Sequence, residues 1–243
     1  MELENKEKII LALDGVNKDH ILNLLEKLPD LVWVKVGLEL FTLYGPNIIQ
    51  DLRGRGKKVF LDLKFHDIPN TMASACYAAA KTGSEIITLH TCAGKNALKI
   101  SKLASLKAAE AINCDPPKII GVSVLTSWSQ VDFSKELAIK DKIEDRVLKL
   151  SKLAIDSNLD GCVCSILELE KLKSISSNKF ELITPGIRLQ NNSSNDQARV
   201  STPKNAILKG ANRLVVGRPI IQSEDPLYVF NLIVEQINSA SNS

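Results

Sequence analysis

The chain has no Cys-x-x-Cys pair, no Gly-x-Gly-x-x-Gly turn and no apolar run of the length that crosses a bilayer. Each absence removes a class. Without paired cysteines, and without a histidine spacing suited to zinc, a metal-stapled finger is excluded. The five cysteines, Cys76, Cys92, Cys114, Cys162 and Cys164, are scattered and odd in number, the pattern of reduced, mostly buried thiols in a cytoplasmic protein. A membrane span needs about 20 consecutive apolar residues. The start Met1-Glu2-Leu3-Glu4-Asn5-Lys6 is too charged for a signal peptide. An excess of charge is also missing: a net charge of +3, with lysines and acids interspersed, leaves no footprint for nucleic acid or an anionic membrane. Basic groups that matter here act one at a time, in a site.

What is present is a repeat of strand and helix over 243 residues. Short apolar, β-branched runs fall at Ile9 to Leu13, Leu31 to Val36, Val59 to Leu63, Glu85 to Leu89, Ile119 to Leu125, Gly161 to Cys164, Glu181 to Thr184 and Arg213 to Val216. Helical stripes lie between them. One is Ile21, Leu24, Leu25 and Leu28, and another is Val147, Leu150, Leu153 and Ala154. The Ala-, Leu- and Lys-rich stretch from Ala97 to Ile112 is a further helix, and Pro226, Val229, Phe230, Ile233 and Ile237 mark the last. Eight such units predict an α/β fold, a single (β/α)8 TIM barrel spanning 1–243, with a polar tail fraying over about 239–243. The runs are continuous rather than alternating, as expected of parallel strands covered on both faces. The main rival is an open doubly wound sheet, but the first strand ends Ala12-Leu13-Asp14-Gly15, without the glycine-rich turn of that fold.

The segment from Asp62 to Thr71 carries the chemistry. Asp62-Leu63-Lys64-Phe65-His66-Asp67 sets a lysine between two carboxylates at the end of an apolar strand. Ionisable groups gathered this way must pair, and flanking carboxylates favour the charged ammonium. Other polar residues also fall at strand ends: Asp14, Lys35, His90, Thr126 and Ser127, Pro185 to Arg188, and Gly217-Arg218-Pro219. In a barrel these ends converge on one mouth. A lone charge at a strand end is usually a solvated cap, but Asp14, Lys35, Asp62 and Lys64 together point to a site. The polar run Gln190 to Asp196 follows the seventh strand on that same face and is a candidate lid. Asp67-Ile68-Pro69 also reads as a helix start, with the aspartate as N-cap and proline in the first turn.

The motif Asp62-x-Lys64-x-x-Asp67-Ile68-Pro69-x-Thr71 resembles the signature of the orotidine 5′-phosphate decarboxylases. So do Leu11-Ala12-Leu13-Asp14, Lys35-Val36-Gly37, Leu125-Thr126-Ser127, Thr184-Pro185-Gly186-Ile187-Arg188 and Val216-Gly217-Arg218-Pro219-Ile220. The resemblance runs in order along essentially the whole chain. It implies decarboxylation of orotidine 5′-phosphate to uridine 5′-phosphate, the last step of de novo pyrimidine synthesis, with no cofactor and no metal. On that reading Lys64 stabilises the carbanion left at C6 and then protonates it. Asp62 and Asp67 hold Lys64, and Asp67 also sits against the substrate carboxylate.

The resemblance also implies the binding contacts. Asp14 and Lys35 take ribose hydroxyls, and Thr126, with Ser127 second, takes the pyrimidine amide edge. Pro185, Arg188, Gln197, Gly217 and Arg218 lie around the phosphate. It further implies a homodimer in which Asp67, Ile68 and Thr71 reach the neighbouring subunit's site. Two other readings stand beside it: a magnesium-dependent enzyme acting on a keto-sugar phosphate, and a nucleotide-binding barrel without turnover. His20 reads as a surface residue near a helix start, His66 has no assigned proton, and His90 orders the mouth through hydrogen bonds.

Overall fold

The computed structural model describes residues 4–189 and 201–241. Eight parallel strands pair in sequence order, and the last closes on the first. They are β1 (Ile9–Ala12), β2 (Trp33–Val36), β3 (Lys58–Phe65), β4 (Ile86–His90), β5 (Lys118–Val122), β6 (Gly161–Val163), β7 (Glu181–Thr184) and β8 (Arg213–Val216). The fold is the (β/α)8 barrel that the eight apolar runs predict. The helices are α1 (Lys18–Lys27), α2 (Leu38–Tyr44), α3 (Asn47–Gly54), α4 (Pro69–Lys81), α5 (Lys95–Ala111) and α6 (Gln130–Glu136). They continue with α7 (Ile143–Asp156), α8 (Leu169–Ile175), α9 (Pro203–Leu208), α10 (Arg218–Ile221) and α11 (Pro226–Ser241).

Two separate cores explain why the strands read as unbroken apolar runs. Side chains alternate across each strand, so one set points into the barrel and the other meets the helices. Ile10, Trp33, Phe60, Ile86, Ile120 and Ile183 form the inner cluster. Their sequence neighbours Ile9, Leu11, Val34, Val59, Leu61, Ile87, Ile119 and Leu182 belong to the outer one. The outer shell also takes the buried stripes of the helices. In α1 these are Ile21, Leu24 and Leu25, behind an Asn17 cap that accepts from the His20 amide at 2.9 Å.

The bottom of the barrel is closed by a charged plug. Arg213 is 2% exposed. Its Nε donates to Glu181 Oε2 at 2.8 Å, its Nη1 donates to the Glu7 carbonyl at 2.9 Å, and its guanidinium lies 4.2 Å from the centre of the Trp33 ring. Lys118 also pairs with Glu181. Removing one partner of a buried pair strands the other. Arg213→Ala is therefore expected to lower folding stability by about 3–5 kcal/mol in denaturant titrations. Because the plug is remote from the mouth, ligand affinity should hold at temperatures where the variant stays folded.

Three local expectations need correction. β5 stops at Val122, not Leu125, because Ser123 to Leu125 leave the ladder for the turn that carries Thr126. β3 runs on past Leu63 to Phe65 through an irregular register. The helix α11 extends through Ser241, so the tail is helical up to that point rather than frayed from Ser239. The expected lid at 190–196 and Gln197 lie outside the described residues. Among those described, no helix is long and apolar enough to cross a membrane.

Candidate active site

A cavity of about 750 Å³ opens at the C-terminal ends of the strands. Its inner wall is apolar, formed by Phe60, Val122, Val163 and Val215. Above that wall, β1 to β3 bring four charges into a row of alternating sign. Lys35 Nζ lies 2.5 Å from Asp14 Oδ2 and 3.4 Å from Asp62 Oδ2, and Lys64 Nζ lies 2.8 Å from the same Asp62 oxygen. All four side chains line the cavity. Asp62 and Lys35 are the buried members, each with a side chain 11% exposed, whereas Lys64 at 30% is open to the cavity. Gly37 leaves room for this row: a Cβ there would overlap the Asp14 carboxylate and crowd the Lys35 amine.

The electrostatics of the row are set by a contest between burial and pairing. Burial disfavours the charge on Lys35, but Asp62 and Asp14 together outweigh it and hold the amine above the usual lysine value. Burial likewise disfavours the Asp62 carboxylate. Lys35, Lys64 and the hydrogen bonds from Lys64 and Thr88 outweigh it and hold the acid below its usual value of 3.8. The signs then follow. Asp62, with a depressed folded value, stabilises the fold above pH 3.8 and loses that contribution as pH falls through the folded value. Lys35, with a raised folded value, stabilises the fold below 10.5 and loses its contribution as pH rises through the folded value. In denaturant titrations, the stability gap between the native protein and Asp62→Asn should stay level from about pH 5 to about pH 9. It should close on the acid side below the ordinary carboxylate range.

The remaining strand ends complete the mouth. Thr126, Pro185 and Arg188 line the cavity after β5 and β7, and Gly217 and Arg218 line it after β8. Arg188 Nη1 donates to the Ile187 carbonyl at 2.9 Å. A parallel bridge between Ile187 and Ser201 draws together the two sides of the 190–200 stretch. Ser127 is exposed and is not part of the cavity lining.

Asp67, Ile68 and Thr71 are also exposed and outside the cavity of their own chain. The N-cap of α4 is Ile68, not Asp67. The Asp67 carboxylate accepts from the next amide, Ile68 N–H, at 2.6 Å. Within this chain the partner of Lys64 is therefore Asp62. The resemblance sets Asp67 at Lys64 across a subunit interface, and within one chain no such pair is found among the described residues.

Of the histidines, His20 is exposed as expected but also lines the cavity rim. His90 packs against the His66 ring at 5.5 Å rather than ordering the mouth by a hydrogen bond among the described residues. Burial, His66 and Lys64 hold its imidazole below the ordinary histidine value.

Sequence reasoning missed two groups at the site. Glu39 Oε2 accepts from the Gly15 amide at 3.0 Å and pins the turn after β1, where Gly15 has φ +81°. Thr88 is fully buried and donates to Asp62 Oδ1 at 3.0 Å. Its signal was visible: it is a hydroxyl in the otherwise apolar run Ile86-Ile87-Thr88-Leu89, in the inward-facing register of Ile86. Among the described residues no group of three or more His, Cys, Asp or Glu side chains is arranged to hold a metal ion.

Comparison with known proteins gives the chain a family. Residues 7–232 match the model of the orotidine 5′-phosphate decarboxylase / HUMPS family. A protein of Prochlorococcus marinus strain NATL1A, named orotidine 5′-phosphate decarboxylase, is 51% identical over 232 residues, covering 96% of each chain. The protein of the same name from strain MIT 9312 is 51% identical over 235 residues, covering 97% of each chain. The crystal structure of orotidine 5′-phosphate decarboxylase from Lactobacillus acidophilus superimposes with a TM-score of 0.84 at 37% identity, covering 95% of this chain and 98% of that one. An uncharacterised protein from Geobacillus kaustophilus gives 0.82 at 30% identity, covering 95% of this chain and 100% of its own. With a family match over nearly the whole length and half of the residues shared with its relatives, the chain belongs to the orotidine 5′-phosphate decarboxylase / HUMPS family.

Proposed function

We propose that this protein is a carboxy-lyase that converts orotidine 5′-phosphate to uridine 5′-phosphate and carbon dioxide, with Lys64 as the group that stabilises and then protonates the reacting carbon. The reaction itself is supported by the names of relatives at about 50% identity. The role of Lys64 is carried by one observation: its ammonium faces the cavity at the end of an alternating row, 2.8 Å from Asp62 and backed by Lys35 and Asp14.

The chemistry follows from that placement. The bond from C6 to the carboxylate breaks, carbon dioxide departs, and the electron pair stays on C6 in an orbital with no attached electron sink. A fixed ammonium aimed at that carbon stabilises the charge without reorganisation. It then gives up its proton to C6 as general acid and is reprotonated from solvent. Asp62 keeps the amine in place, while Lys35, on the same Asp62 oxygen, helps to keep that carboxylate ionised. The row leaves Asp14 and Lys35 at the edge of the cavity for ribose hydroxyls and Thr126 for the pyrimidine edge. Arg218 grips the phosphate, with Gly217, Arg188 and Gln197 beside it; Pro185 is a further substrate contact and Ser127 a secondary one. No cofactor and no metal takes part.

The active form is a two-fold dimer in the cytoplasm, with Asp67, Ile68 and Thr71 contributed to the partner's site. What supports the pairing is that these three stand exposed outside their own cavity, with Ile68 68% exposed although apolar. Loss of orotidine 5′-phosphate absorbance on adding purified protein is the direct assay. Full activity is expected after exhaustive treatment with a chelator. Activity restored only by magnesium, together with turnover of a keto-sugar phosphate, would overturn the assignment.

A further inference from the structure

The strand that carries Lys64 is irregular at that point. Leu61 pairs with Ile87 and Phe65 with Leu89, so Asp62, Leu63 and Lys64 all lie opposite one residue of β4, Thr88. In a regular parallel ladder every second amide of a strand donates to a carbonyl on a given neighbouring strand. Three residues against one break that ladder and leave groups without strand partners. Lys64 also has φ +51°, in the left-handed region that a residue with a Cβ occupies only at a cost. Something must hold it there.

We propose that Thr88 is a positioning residue, whose one hydroxyl locks the Lys64 backbone and the Asp62 carboxylate together so that the ammonium is aimed before any ligand arrives. The proposal rests on the reading of Lys64 and Asp62 given above. The Lys64 amide donates to Thr88 Oγ1 at 2.9 Å, replacing the missing strand carbonyl. A hydroxyl that accepts one hydrogen bond still has a proton to give, and Thr88 gives it to Asp62 Oδ1 at 3.0 Å. With Oδ1 occupied, both ammonium groups meet Asp62 at Oδ2, Lys64 at 2.8 Å and Lys35 at 3.4 Å. Thr88 is fully buried inside the barrel, so water does not compete for either bond. The hydroxyl thus fixes both ends of the lysine: the backbone it grows from and the carboxylate that receives its tip. Positioning of this kind acts on the organisation of the reacting groups rather than on substrate contact.

The test uses two matched pairs of the full chain. Native threonine and Thr88→Val share a shape and differ in the hydroxyl; Thr88→Ser and Thr88→Ala share a smaller shape and differ in the same way. The second pair decides the matter if the valine variant does not fold. Removing the hydroxyl is expected to lower kcat by about 10- to 100-fold while KM moves by less than about threefold. It should also speed hydrogen exchange of the Lys64 amide by about tenfold over the amides of Val59 to Leu61. Thr88→Ser should keep both properties close to those of the native protein. A hydroxyl-free variant with native kcat and native Lys64 protection would overturn the proposal, as would a serine variant no better than alanine. The exchange result does not depend on what the ammonium does. If Lys64→Ala kept full turnover, the chemical reading would fail while the amide measurement still judged Thr88.

Discussion

Lys64→Ala is expected to lower turnover of orotidine 5′-phosphate by about 10⁴-fold or more, because one side chain supplies two effects. A preorganised charge at the site of developing negative charge contributes about 10²–10³-fold, and a placed general acid contributes about 10²–10⁴-fold. Folding should survive the loss. Asp62 keeps Lys35 at 3.4 Å and the Thr88 hydroxyl at 3.0 Å, so no buried charge is left alone. Binding of uridine 5′-phosphate, which has no carboxylate to lose, should change little. A second variant separates chemistry from folding. At φ +51° glycine is at ease where alanine is strained, so Lys64→Gly should melt no lower than Lys64→Ala while being equally inactive. Single-turnover kinetics alongside thermal melts measure both. Turnover within tenfold of native in either variant would remove Lys64 from the mechanism.

Arg218→Ala is expected to cost about 10²–10⁴-fold in kcat/KM. Two hydrogen bonds from a guanidinium fork to a phosphate contribute about 1.5–3 kcal/mol each, and every 1.36 kcal/mol is worth about tenfold. The decisive comparison is with orotidine, which lacks the phosphate. The native protein and Arg218→Ala should act on that truncated substrate almost equally, because orotidine offers no phosphate for a guanidinium to bind. If the variant loses as much on orotidine as on the phosphorylated substrate, Arg218 acts elsewhere in the site. The position supports the first outcome: Arg218 lines the cavity directly after β8, whereas Asp62 and Lys64 stand on β3.

The barrel was legible in the sequence because its strands are covered on both faces, so each appears as an apolar run without needing any contact information. Ends of elements were less so. Ser123-Val124-Leu125 is apolar enough to extend a strand, yet the chain turns away there to present Thr126. The two helices α2 and α3 share one connection, between β2 and β3. Gly45, at φ +61°, and Pro46 separate them into pieces too short for a stripe to declare itself.

The charged members of the site were legible as residue types at strand ends, since Asp14, Lys35, Asp62 and Lys64 have few other reasons to stand there. Thr88 was visible as a hydroxyl in an apolar run, but its role was not, because that depends on the register between β3 and β4. Register of that kind is a property of pairing, invisible in either strand by itself. Asp67 shows the same limit from the other side: its motif names it, and among the described residues its carboxylate meets the Ile68 amide.

The charged row lies on β2 and β3 and just past the end of β1, while Arg188, Gly217 and Arg218 follow β7 and β8. On the proposed roles, reactivity and anchorage occupy separate arcs of one wall. Outside the packed inner cluster of Ile10, Trp33 and Phe60, inward positions can be exchanged without disturbing the outward side chains that seat the helices, because successive residues of a strand face opposite ways. A directed-evolution library confined to the inward positions of the first three strands would therefore explore new acid–base repertoires while the opposite arc retained its grip on phosphorylated molecules. On that assignment the architecture separates what is held from what is done to it.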